Sequence, residues 1–275
     1  MPNTIEPVAE RVPSAAFSPL DAQVFRASAL TRGPWHVQQQ HAGPPIALVA
    51  YALQSAAAPH GLGHMARLTA NLLRPVPIAD IEVRVQEDYV GRNTGHFSAV
   101  ALADGKELIR ATALFQREAD VALPELLTGH PLPLAPLQPE DSKAQRMQFA
   151  NDQLGYPDLV ETRVAAGHMF NGPSAVWFRF RHPLVEGHTP SPYERVAVAA
   201  DSGNGISAVL DLSAYLFVNS DLTINLLRRP VGEWICLDAR TQLSSLGGGL
   251  AESALYDEVG LIGRATQSLF VRKRE

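Results

Sequence analysis

"RLTANLLRPVP" (67–77) and "DLTINLLRRPVG" (221–232) are nearly one phrase written twice in a chain of 275 residues. An offset of 154 residues lays Asn225 on Asn71, Leu226 on Leu72 and Leu227 on Leu73. The match resumes downstream, where "GRATQSLF" (263–270) lies over "IRATALF" (109–115), with Arg264 on Arg110 and Thr266 on Thr112. Asn71 to Arg110 and Asn225 to Arg264 are both 39 residues. Two matched ends with equal spacing predict one structural unit used twice.

The text between the matched ends supports a shared structure. "IEVRVQEDYV" (81–90) alternates apolar and polar, as a strand with one buried face does. "GRNTG" is a turn, "HFSAVALA" (96–103) a second strand, "DG" (104–105) a hairpin turn and "ELIRATALFQ" (107–116) a third strand. The second copy repeats this over 233–243, 250–256 and 261–271. Upstream, "GPPIALVAYALQSAAA" (43–58) and "SPYERVAVAADSG" (191–203) read as helices with proline near the start, Gly203 being a stop. A short strand-like segment precedes each helix, at 23–30 and 174–182. Residues 119–150 are proline-rich and weakly periodic, and read as a tether between the halves. The expected division is therefore 15–118, a linker at 119–150, and 151–275.

Bulk properties narrow the class. Hydrophobic residues make up 46% of the chain, enough to build a sizeable core. A net charge of −5 argues against nucleic acid as a partner, since that would call for a basic stripe. The single cysteine, Cys236, excludes an internal disulfide framework and fits a cytoplasmic location. No basic leader followed by an apolar run opens the chain, and no stretch approaches the ~20 apolar residues of a membrane span.

This arrangement resembles the hotdog fold, in which a sheet wraps a central helix. The chain is similar to the acyl-CoA thioesterase II type and the wider thioesterase-like superfamily. The resemblance rests on "HAGPPIALVAYAL", "LLRPVP" and "ATALFQ" in the first half, and on "AADSGNGIS", "NSDLTINLLRRPVGEW" and "RATQSLFV" in the second. It implies an α+β tandem, or double, hotdog, with two antiparallel sheets each wrapping a central helix. It further implies a thioester hydrolase of fatty-acyl metabolism, with acyl-CoA as substrate, no other cofactor, and pairing of two chains as a homodimer. A carboxylate ending the second helix would activate water, helped by a Thr/Ser-type residue before the following strand and by a Gln on the last strand. Those roles fall on Asp201, on Asn219 or Ser220, and on Gln267. Asn219 stands where the family pattern has Thr.

The residues read alone lead to the same place. A site used once should differ between duplicated halves. Ala113 stands where Gln267 stands, and the first helix holds no carboxylate, whereas the second carries Asp201. Thioester hydrolysis needs a base within reach of water and donors for the developing oxyanion. A carboxylate in an apolar setting suits the first role, and Gln or Asn amides suit the second. No G-x-S-x-G elbow is present. Asp201 before "SGNG" also fits a turn-capping Asp, Gln267 an ordinary strand residue, and Asp221 a strand-edge salt bridge.

His41 and Gly43 sit where the chain enters the first helix, whose N–H groups can meet a carbonyl or phosphate, and a structural or simply exposed His fits that place as well. Arg74, Arg228, Arg229 and Arg264 are candidates for the phosphates of CoA, while "VRKRE" at the C-terminus reads as a solvated tail. His60 and His64 in "HGLGH" read as loop residues, and no metal site is expected. A non-catalytic acyl-CoA or fatty-acyl binding protein is the rival reading. A hydratase ranks behind it, because no Asp/His pair is legible.

Overall fold

The computed structural model describes residues 12–124, 132–149, 152–211 and 213–274. The first half contains β1 (Phe17–Pro19), β2 (Val24–Ala27), α1 (Gly43–Ala57), β3 (His64–Leu72), β4 (Asp80–Val90), β5 (Thr94–Ala103) and β6 (Lys106–Gln116). The second contains β7 (Lys143–Ala144), the one-turn α2 (Tyr156–Leu159), β8 (Val160–Gly167), β9 (Ser174–Phe180), α3 (Pro192–Ala200) and the one-turn α4 (Gly203–Ile206). It ends with β10 (Tyr215–Asn219), β11 (Asp221–Leu226), β12 (Ile235–Leu243), β13 (Gly248–Asp257) and β14 (Gly260–Lys273).

Local chemistry accounts for these elements. Asp104 and Gly105 both have positive φ, 48° and 71°, the geometry of a two-residue type I′ turn that joins β5 to β6 in register. α1 is apolar almost all round, with Ile46 through Ala50 fully enclosed, so it must run through a core and cannot lie on the surface. α3 starts on Ser191, whose hydroxyl accepts from the Glu194 N–H, with Pro192 at the first helical position. It stops at Ala200, and Gly203, expected to end it, opens α4 instead.

The expectation of two separate sheets needs correcting. Among the described residues, the fourteen strands belong to one antiparallel sheet, ordered β1-β2-β4-β5-β6-β3-β11-β14-β13-β12-β9-β8-β7, with β10 also on β14. The join is β3 on β11, which are the two copies of the repeated phrase. Their register centres on Thr69 opposite Thr223, which are counterparts in the repeat. The duplicated phrase is therefore the seam. α1 rests on β3 to β6, α3 on β9, β11 and β12, and the helices touch each other. One hydrophobic cluster runs through both halves and both helices.

The stretch expected as a tether is partly tied down. Leu261 N–H donates to Pro133 O, Trp177 Nε1 to Leu137 O, and Gln145 N–H to Thr162 O. Residues 143–144 add the edge strand β7. Residues 125–131 and 150 of that stretch lie outside the described residues. His64, expected in a loop, begins β3; its ring is buried between Tyr193 Oη and Leu226 O. Cys236 is buried, and burial pushes its thiol well above the ordinary range.

Candidate active site

Asp201 follows the last residue of α3, with only 4% of its surface exposed. Its two carboxylate oxygens are held from opposite halves of the chain. Asn219 Nδ2 donates to Oδ1 at 2.7 Å, and His41 Nδ1 stands 3.1 Å from Oδ2. Gln267, 2% exposed on β14, grips the same turn by its backbone. Its Nε2 donates to Asp201 O at 3.1 Å, and its Oε1 accepts from Asn204 N–H at 2.9 Å. Gly203 permits this: a Cβ there would stand 2.9 Å from Gln267 Oε1.

A β-bulge decides between Asn219 and Ser220. β10 and β11 pair with successive stretches of β14, and Ser220 is the extra residue between them. In the first half, Ala66 is the corresponding bulge on β3. Ser220 spends its N–H on Ser268 O and its carbonyl on Leu72 N–H, and its side chain is exposed. Asn219 keeps the orientation that meets the carboxylate. Asp221, expected in a salt bridge, instead accepts from Ser268 N–H at 2.6 Å. The first-half counterparts of Asn219, Gln267 and Leu269 are Met65, Ala113 and Phe115, all buried and apolar, so this polar constellation is built once.

His41 joins the site from the other half. Its ring stacks on Tyr156 at 3.8 Å between centroids and 2° between planes. Tyr156 Oη donates to Val198 O and meets Ser202 Oγ, bracing the end of α3. Burial pushes the His41 pKa down despite the opposing pull of Asp201, so the imidazole is neutral. Nδ1 has two neighbours that make opposite demands. Gly43 N–H lies 3.1 Å away as a donor, while Asp201 Oδ2 requires Nδ1 to donate. The hydrogen bond that forms runs from Gly43 N–H to Nδ1. Pro44 and Pro45 have no N–H, so Gly43 carries the only donor in the first three residues of α1. A Cβ on Gly43 would stand 2.6 Å from Val198 O, so glycine is what lets the two helix ends meet.

The arginine candidates are not gathered here. Arg228 is committed to Asp257 through two bonds of 2.5 and 2.6 Å and also donates to Gly260 O. Arg74 donates to Glu107 O. Arg264 is exposed on β14 and three residues from Gln267, so it lies on the opposite face of the sheet. Sequence reasoning also found no Asp/His pair, yet Asp201 and His41 form one. Their separation of 160 residues leaves no local signal. Tyr156 was missed for the same reason, and Asn204 because it contributes its backbone N–H.

Comparison with known proteins bears on what the site does. The acyl-CoA thioesterase N-terminal domain family matches residues 31–116, and the acyl-CoA thioesterase C-terminal domain family matches residues 136–271. The chain belongs to the acyl-CoA thioesterase family. Solved structures agree in fold with this thioesterase. An acyl-CoA thioesterase II, TesB2, from Mycobacterium marinum superposes with a TM-score of 0.65 at 15% identity, covering 94% of this chain and 95% of that one. A tesB protein from Mycobacterium avium subs paratuberculosis gives 0.66 at 15%, covering 94% and 96%. A hot dog fold protein of unknown function from Alicyclobacillus acidocaldarius gives 0.70 at 18%, covering 95% and 97%. No curated protein matches the sequence. No helix among the thioesterase's described residues is long and apolar enough to cross a membrane.

Proposed function

We propose that this thioesterase is a tandem double hotdog that hydrolyses acyl-CoA with Asp201 as general base. The observation that carries the reading is the Asp201 carboxylate, buried and oriented by Asn219 on one oxygen and His41 on the other. Asp201 takes a proton from water as the water attacks the thioester carbonyl. Asn219 and His41 hold the carboxylate in one orientation, and Gln267 fixes the turn that carries it. The N-terminal end of α1, where His41 and Gly43 lie, favours the negative charge that develops on the carbonyl oxygen. The proton then passes to the leaving thiolate. A thioester is activated enough to need no covalent intermediate.

A thiol-release screen over acyl-CoA chain lengths tests the reading, with Asp201→Asn as the near-isosteric control. Wild type should release CoA thiol for at least one chain length, and the variant should lose about 10²–10⁴-fold in kcat with its fold intact. Asn219→Ala should lose less, because His41 still holds Oδ2. Unchanged turnover in Asp201→Asn would remove Asp201 from the role. Acyl-CoA binding without thiol release would instead favour a non-catalytic acyl-CoA binding protein. The Asp201–His41 pair gives the hydratase reading a specific basis, so enoyl-CoA belongs in the same screen; hydration without thiol release would favour it.

A further inference from the structure

We propose that Arg32 is a positioning residue for this reaction: it clamps the loop that carries His41 to the segment that carries Tyr156, and so seats the His41 imidazole beside Asp201. The inference rests on the reading of Asp201 as the base and adds a residue that acts on it through His41.

The need for a clamp follows from how His41 is held. The hydrogen bond from Gly43 N–H fixes one ring atom, Nδ1. A ring held at a single atom can swing about it. The flat contact with Tyr156, 3.8 Å between centroids and 2° between planes, fixes its plane. His41 and Tyr156 are 115 residues apart, in different halves of the chain, so no local geometry keeps them together.

Arg32 joins the two stretches. Toward His41 it pairs with Gln40 in an antiparallel bridge, flanked by bonds from His41 N–H to Thr31 O and from Gly33 N–H to Gln39 O, both 2.8 Å. Its Nε donates to Val37 O in the same loop at 2.9 Å. Toward Tyr156, Arg32 O accepts from Tyr156 N–H at 2.9 Å, and Nη1 donates to Leu154 O at 2.5 Å. Gly155 lies between these two contacts, and a Cβ on it would stand 2.8 Å from Arg32 O. Tyr156 is anchored at its far end as well, where Oη meets Val198 O and Ser202 Oγ beside Asp201. One bonded path therefore runs from the His41 loop through Arg32 and Tyr156 to the turn that carries the base.

The half-buried guanidinium is committed to this task. Among the described residues it forms no ion pair with a carboxylate. Its donors go instead to backbone carbonyls on two different segments. A rigid plane with several N–H groups can hold two such acceptors at a fixed angle, whereas a lysine ammonium is one point on a flexible stem. The place therefore calls for the fork of arginine more than for its charge.

The test is a double-mutant cycle between Arg32→Met and His41→Gln, read in kcat on an acyl-CoA that the wild type hydrolyses. Arg32→Met alone should lower kcat about 10–10²-fold. In the His41→Gln background the same substitution should add little, because its effect passes through the imidazole. Equal losses in both backgrounds would overturn the proposal, since a brace of the fold costs the same with or without His41. Arg32→Lys keeps the charge without the fork and should resemble Arg32→Met; full activity in it refutes the clamp. Gly155→Ala pushes the same contact apart with the guanidinium intact, and should reproduce the loss if Arg32→Met does not fold. Proton NMR of the His41 ring, assigned with His41→Gln, gives a readout independent of turnover. Stacking on Tyr156 shifts the ring protons upfield, and Arg32→Met and Gly155→Ala should move them back toward the unstacked position. Unmoved signals in the folded variants refute the clamp. Moved signals in a protein whose wild type hydrolyses no acyl-CoA support the clamp and sink only the thioesterase reading.

Discussion

Thr223 Oγ1 donates to Thr69 Oγ1 at 3.2 Å, so the repeat is bonded to itself at its own centre. The two threonines are counterparts 154 residues apart, and each strand copy reads the other in reverse around them. Offset residues that face each other at one point imply a local two-fold relation between the halves. The seam has the symmetry of a dimer interface within one chain. Thr69→Val and Thr223→Val should each cost about 0.5–1 kcal/mol, and a double-mutant cycle should return a favourable coupling of similar size. Urea unfolding of the four proteins measures it. A coupling of zero would mean that the hydroxyls do not interact.

Arg228 stabilises the fold through Asp257. Asp257 is buried and accepts from Arg228 and from the N–H groups of Val231, Val259 and Gly260. Burial alone would raise its pKa, but Arg228 and these backbone donors outweigh it and hold it below the usual range. A depressed carboxylate contributes stability that is present above the ordinary Asp value of 3.8 and lost as pH falls through the folded value. Arg228→Met leaves a buried carboxylate without its countercharge and should cost about 3 kcal/mol at neutral pH. The acyl-CoA KM of whatever remains folded should be unchanged. A raised KM with normal stability would return Arg228 to substrate binding.

What was legible in the sequence follows from what is local. The helices and hairpins were readable because period and turn chemistry act over a few residues: "DG" names a type I′ turn, and the all-apolar α1 names a core helix. Asp201 and Gln267 were readable because the repeat supplied an internal control, the apolar Ala113 on β6. The continuity of the sheet was not readable. It depends on β3 pairing with β11, and nothing in either strand says which edge it will meet. The same limit hid the pairing of His41 with Asp201, which depends on Gly43 letting α1 approach the end of α3. Composition also misled on arginine. Arg228 and Arg264 matched phosphate chemistry by type, but an internal carboxylate claimed one and strand parity turned the other outward.

Gln267 ties β14 to the turn that carries Asp201. Gln267→Met leaves the buried Asn204 N–H without its partner and should cost about 1–3 kcal/mol. Gln267→Glu keeps an acceptor for Asn204 but brings a second carboxyl beside Asp201 and loses the donor to its carbonyl. Its stability loss should be smaller at low pH, where the new carboxyl is protonated, and its turnover should fall at neutral pH. Thermal unfolding and steady-state kinetics at two pH values separate these effects. Normal turnover in both variants would show that the turn holds Asp201 in place without Gln267.

His41 gives the site a predicted acid limit. Its folded pKa lies below the ordinary 6.5 because burial disfavours the imidazolium, with Asp201 pulling weakly the other way. The unfolded chain takes up its proton near 6.5, whereas the folded protein does so only at lower pH. Between those values the unfolded state binds more protons, so stability rises with pH; it is fully present above 6.5 and is lost as pH falls through the folded value. His41→Gln removes this contribution. The stability difference between wild type and variant should therefore change across that window by up to about 1.4 kcal/mol per pH unit, and be flat above it. Urea unfolding from pH 7.5 down to 5 gives the two curves. Parallel curves throughout would show that His41 takes up its proton alike in the folded and the unfolded chain.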